Sequence, residues 1–186
     1  MPKPTPAASE ETLFQQLSMI HQFFPRIDAK ATFLFGIVSA QIAFAATKLS
    51  AATLSIWWVS IPLALFAVMA MIVVLMVYRC AFPDLKGGHN SLIYFAEISK
   101  RTESSFCDAI LSIESEELRE EIATQIWRNS EIVAEKFRHL KAAMIAIMLG
   151  LVPWAAFIAA TAFASPTSHA YSTPTPHVVQ EDRAKL

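Results

Sequence analysis

The chain predicts an all-α membrane protein: three transmembrane helices, with a cytoplasmic helical hairpin between the second and the third. Three observations lead there. Apolar residues fill 54% of the 186 positions and charged residues only 17%, a balance typical of membrane proteins. Three long runs, 31–47, 54–78 and 142–164, carry no charged residue. The stretch between the last two runs is polar, with apolar residues recurring at helical spacing.

Taken in order, the Pro-rich opening "MPKPTPAA" is expected to lack regular structure. The next stretch, "SEETLFQQLSMIHQFF", starts like a helix. Ser9 is placed to cap it, and Glu10 and Glu11 favour its first turn. Leu13, Leu17, Ile20 and Phe24 share one face. That face suits a membrane surface and a protein groove equally. Pro25 ends this helix or starts the next. The first thirty residues hold Glu10, Glu11 and Asp28 but no apolar core of signal-peptide type, so no cleaved signal is expected.

Residues 31–47 rise roughly 25 Å as a helix, slightly short of a bilayer core, and Lys30 and Lys48 bracket them. Residues 54–78 form the second span. Trp57 and Trp58 mark one interface, Tyr78 and Arg79 the other, and Pro62 lies inside. Residues 142–164 form the third, with Pro153 inside. Ser39 and Gln41 suit contact between helices better than an ion path. The Ser/Thr/Pro-rich tail from 165 to 186 is expected to be unstructured.

Lys and Arg set the expected orientation. Arg26 and Lys30 precede the first span, and Arg79, Lys86, Lys136, Arg138 and Lys141 crowd the polar segment near its membrane ends. The positive-inside rule then puts the N-terminus and residues 80–141 in the cytoplasm and the tail in the periplasm. The domain plan is an N-terminal segment over 1–30 and two spans over 31–79. A helical sensor module over 80–141, a third span over 142–164 and a periplasmic tail over 165–186 complete it.

Two helices suffice for the module, one from about Asn90 to Ser112 and one from Ser115 through Lys141 into the third span. Pro83 and the Gly87–Gly88 pair supply the turn before the first. Ser115 is placed to cap the second. Leu92, Phe95, Ile98, Phe106, Ala109 and Ile110 make one apolar face; Ile122, Ile126, Val133, Phe137 and Leu140 make the other. Beside them run two polar stripes. One holds Asn90, Tyr94, Glu97, Arg101 and Asp108, and the other Gln125, Asn129, Ile132 and Lys136. Facing stripes would enclose a pocket or form a subunit interface, whereas the plainer reading is a solvated face. Glu116, Glu117, Glu120 and Glu121 read as solvated surface.

Several functions are disfavoured. A net charge of −1 argues against a nucleic-acid binder. No phosphate-binding loop, metalloprotease motif or nucleophile elbow occurs, so an enzyme is not expected. Cys80 and Cys107 lack metal spacing and read as unpaired thiols, and no metal or cofactor is expected.

The motifs resemble those of the transmembrane effectors of Pycsar anti-phage systems. "DAKATFLFGI" at 28–37 is similar to an Asp-x-Lys-Ala opening of the first span, and "FP" at 82–83 to a Phe/Leu-Pro exit element. "NSLIYFAEIS" at 90–99 resembles an Asn-Leu-x-Tyr-Phe block. "QIWRNSEIVAEKF" at 125–137 resembles a block ending in Lys-Tyr, with Phe137 in place of Tyr. The resemblance covers roughly residues 15–165.

That resemblance implies an abortive-infection effector in the bacterial inner membrane. A partner cyclase would make cyclic CMP or cyclic UMP, and the effector, a homo-oligomer in the bilayer, would sense it and impair the membrane. Chemistry then nominates contacts. A cyclic pyrimidine nucleotide needs a cation for its phosphate, an aromatic face and amides for its base. Lys136 and Arg101 suit the phosphate, Tyr94 and Phe95 suit stacking, and Asn90, Gln125 and Asn129 suit the base. Asp28, Lys30, Phe82 and Pro83 stand at the membrane edge, where they could couple the module to the spans or merely anchor it. An effector of another nucleotide signal and a non-signalling scaffold are the rival readings.

Overall fold

A computed structural model describes residues 9–82 and 90–164. Among them the regular structure is helical: α1 (Glu10–His21), α2 (Phe23–Ala46), α3 (Ala51–Leu54), α4 (Trp57–Ala81), α5 (Phe95–Ile98), α6 (Glu103–Ser112) and α7 (Ser115–Ala164). The N-terminal prolines, the Pro83–Gly88 turn and the tail from 165 lie outside the described residues. Three helical stretches are long and apolar enough to cross a membrane: Glu10–Ala46, Trp57–Ala81 and Ser115–Ala164.

Ser9 caps α1 as expected, its hydroxyl accepting from the Thr12 amide at 3.3 Å. Only Gln22 separates α1 from α2. Pro25 falls in the first turn of α2, where an amide N–H would have no intrahelical acceptor, so the ring costs nothing there. The first span is therefore the membrane end of a longer helix. The extra turns at its start carry Arg26, Asp28 and Lys30. Ser50 and Thr53 form a reciprocal capping box at α3, and the Ser60 hydroxyl donates to the Leu54 and Ile56 carbonyls at 2.7 and 3.0 Å. These bonds brace the short link between the first two spans.

The third span and half of the polar segment are one rod. The 50 residues of α7 run unbroken, about 75 Å at helical rise. Ser115 is its first helical residue, and the Glu114 carbonyl one position earlier accepts from the Leu118 amide. The expected cap is thus displaced by one.

The hairpin's first arm differs more. A single helix over 90–112 is not formed. Asn90 has φ 63°, left-handed backbone that asparagine tolerates. Thr102 caps a new helix, its hydroxyl accepting from the Ser105 amide at 3.3 Å. These Asn, Ser and Thr side chains offer the backbone partners that compete with a continuous helix. Neither α5 nor α6 has a buried residue. It is α1 that packs along α7, with Leu17 buried. The amphipathic face of α1 thereby finds a protein groove. On α7 the buried positions include Ile122 and Leu140 as expected, but also Gln125 and Lys136, while Phe137 is exposed. The polar stripe is turned partly into the core.

The spans pack as two buried clusters. Val38 and Ala45 of α2, Phe66, Ala70 and Val73 of α4, and Ala146, Phe157 and Ala160 of α7 form one. Nearer the polar segment, Ile27, Ala31 and Leu34 of α2 meet Cys80 of α4 and Leu140 and Ala143 of α7. At Gly150 the α4 helix comes so near that an added Cβ would stand 3.0 Å from Met69 Cβ. Small residues permit such close approach.

Candidate functional site

The site is built on a turn that two α7 side chains hold in place. Ser91 is buried, and its hydroxyl donates to Glu121 Oε1 at 2.6 Å. The same carboxylate oxygen accepts from the amides of Leu92 and, at 3.3 Å, Ile93. The Ser91 oxygen in turn accepts from the Ile93 and Tyr94 amides at 3.1 and 2.9 Å and from Gln125 Nε2 at 3.1 Å. A carboxylate gathering several N–H and O–H donors makes the strong kind of hydrogen bond. The turn at 91–94 is thus pinned to α7 one helical step apart, at Glu121 and Gln125.

This pinning sets two aromatic rings beside α7. Tyr94 and Phe95 stand with ring centroids 5.0 Å apart, edge to face. They line a cavity of about 390 Å³ together with Ile93, with Gln125, Asn129 and Ile132 of α7, and with Leu17, His21 and Phe24 of the N-terminal helices. The Asn129 Nδ2 donates to the Gln125 carbonyl at 2.9 Å. Each amide donates an N–H to the scaffold. The cavity is lined by aromatic rings, side-chain amides, one imidazole and apolar side chains.

Four of the seven expected ligand contacts, Tyr94, Phe95, Gln125 and Asn129, meet in this cavity. Asn90 and Arg101 meet elsewhere. Arg101 Nη2 donates to the Asn90 carbonyl at 2.8 Å, and both line a separate cavity of about 350 Å³ with Glu117 and Glu121. Lys136 joins the membrane-edge group: its Nζ lies 2.6 Å from Asp28 Oδ1 and 5.7 Å from the centroid of Phe24. Of the expected coupling residues, Asp28 makes that pair, whereas Lys30 is exposed. Phe82 is 70% exposed, packs with its ring tilted against that of Tyr78 at 5.2 Å between centroids, and lines with it and Asp28 a further cavity of about 480 Å³. Pro83 lies outside the described residues.

Sequence reading missed Ser91, Glu121, Leu17, His21 and Phe24. Glu121 reads from the sequence as a solvated acid, yet it is partly buried and holds the turn. One signal could have found it: the stripe Gln125, Asn129, Ile132, Lys136, extended back one step of four, lands on Glu121. Leu17 and His21 of α1 and Phe24 of α2 carry no such mark, because their face suits lipid as well as protein. Cys80 is buried and Cys107 exposed, both unpaired. Among the described residues no three His, Cys, Asp or Glu side chains gather as a metal site would require.

A family model described as the Pycsar effector protein domain matches residues 12–163. No curated protein and no solved structure matches the chain.

Proposed function

The chain belongs to the Pycsar effector family, and on that premise we propose that it is an anti-phage effector gated by a cyclic pyrimidine nucleotide. A partner cyclase makes cyclic CMP or cyclic UMP, and the effector binds it and impairs the inner membrane. It does so as a non-enzyme, without metal or cofactor, and as an oligomer, since three spans enclose no aqueous path. The N-terminus and residues 80–141 face the cytoplasm, where the nucleotide is made, and the tail faces the periplasm.

One observation carries the reading: the cavity at the meeting of α1, the 91–95 segment and α7 combines two aromatic rings with two side-chain amides. Rings stack a base whatever its edge, and amides read the edge. The volume, about 390 Å³, lies at the low end of small-ligand pockets, about 300–1,000 Å³. That suits a mononucleotide and is tight for a cyclic oligonucleotide. The rod of α7 supports transmission, because one helix lines the cavity and continues through the third span.

Equilibrium binding of cyclic CMP and cyclic UMP to the full chain in detergent tests this. Saturable binding that Tyr94→Ala or Asn129→Ala weakens at least tenfold is the expected result. Absence of binding by either nucleotide, or binding only of cyclic oligonucleotides, would overturn it.

A further inference from the structure

The Lys136 and Asp28 side chains are unequally placed: 6% of the first and 50% of the second is exposed. The carboxylate is therefore half in solvent, whereas the lysine side chain is almost wholly covered. Phe24 precedes Asp28 by one helical step and shares its face of α2. Its ring lies against the Lys136 ammonium and also lines the cavity. Beneath the pair, Cys80 Sγ donates to the Lys136 carbonyl at 3.5 Å and is 0% exposed. Ile27, Ala31, Leu140 and Ala143 pack around that thiol. Cavity, ion pair and the packed end of three membrane helices therefore join through Phe24 and Lys136.

We infer that the Asp28–Lys136 pair is a latch closing α2 and α4 onto α7, and that a ligand filling the cavity opens it by displacing the Phe24 ring. The inference rests on the proposed reading of the cavity as a ligand site. A desolvated ammonium is held by its counter-charge and by the ring face beneath it. Once the ring moves, the ammonium loses one of its two holds, and the half-exposed carboxylate is free to release it. The helices around Cys80 then lose the bond that sets their spacing.

The two cysteines make this measurable in the full chain, in membrane vesicles, without any nucleotide. Cys107 is exposed and serves as the internal standard for maleimide labelling, and Cys80 reports the latch. Asp28→Asn and Lys136→Gln are expected to speed Cys80 labelling at least tenfold relative to Cys107. The swap Asp28→Lys with Lys136→Asp is expected to restore most of the protection. A variant that had merely lost its fold would leave the swap unprotected too. Single variants that label like wild type, or a swap that labels as fast as the singles, would overturn the latch. In a second arm, cyclic CMP or cyclic UMP should speed Cys80 labelling in wild type but not in Phe24→Ala. A response that survives Phe24→Ala overturns the role of the ring. Labelling that neither nucleotide changes, where equilibrium binding shows the nucleotide bound, overturns the opening of the latch by ligand; where neither nucleotide binds, the nucleotide reading falls and the latch itself stands on the first arm.

Discussion

The lipid-spanning half and the junction half of this molecule are held together by different means. In the spans, buried positions are Val38, Phe66, Ala70, Val73, Ala146 and Phe157, while Phe33, Val68, Met148 and Val152 point outward. Some polar side chains there bond within their own helix, as Thr32 does in donating to the Asp28 carbonyl at 2.9 Å. A bond from Trp154 Nε1 to the Gln41 carbonyl, 3.3 Å, does cross between helices. At the junction, by contrast, side chains bond across elements far apart in the chain: Glu121 to Ser91, Gln125 to Ser91, Lys136 to Asp28. Lipid tails are as apolar as leucine, so apolar area alone does not choose how spanning helices turn toward one another. Close packing and a few directional contacts must do it. The contrast leads us to expect that the junction contributes most to register, and the following variants test it.

The largest effect should come from splitting the ion pair. Asp28→Ala leaves a buried ammonium without counter-charge and is expected to cost about 3 kcal/mol, read as a lowered Tm in detergent. Asp28→Ala with Lys136→Met should recover most of that loss. A single variant as stable as wild type would show that the junction does not hold the register.

Next, Glu121→Ala releases the 91–94 turn. The lost charge-assisted bonds are expected to cost about 2 kcal/mol. If the turn shapes the nucleotide cavity, affinity falls roughly 30-fold by the same energy. Calorimetric titration checks this, and a variant with unchanged affinity would detach the turn from the cavity's binding role.

A span-side counterpart sharpens the comparison. Gly150→Leu forces side-chain carbons against Met69 and should cost about 1.5 kcal/mol, as overpacking does. Its Tm should fall less than that of Asp28→Ala. A larger fall would reverse the comparison and make helix packing, not the junction, the determinant of register. The smallest effect is expected for Glu116→Gln. Its partner Arg119 lies one turn away and its own side chain is 82% exposed, so the change should stay within about 0.5 kcal/mol.

Much of the plan was legible along the chain. Charge-free runs marked the three spans, because lipid tolerates no unpaired backbone and few charges over that length. The stripe Gln125, Asn129, Ile132, Lys136 and the rings of Tyr94 and Phe95 were visible as spacings, and part of that set does share a cavity. Other features had no local mark. The break at 99–102 depends on Thr102 capping a new helix, which competes closely with continuing the old one. Of the seven nominated contacts, Asn90 and Arg101 stand apart from Tyr94 and Phe95 on a segment that is not one helix, with Asn90 at positive φ, and Lys136, farther along α7, meets Asp28 of α2 instead.

By itself the sequence determined the all-helical class, the three membrane-crossing segments and the unbroken passage from polar segment to third span. These follow from composition and periodicity, which act residue by residue. Only the tertiary structure decided that α1 lies on α7, that Glu121 grips Ser91, and that Lys136 reaches Asp28 rather than open solvent. An amphipathic face and a charged side chain each accept several partners of nearly equal energy. Which partner is taken depends on what the rest of the chain brings within a few ångströms.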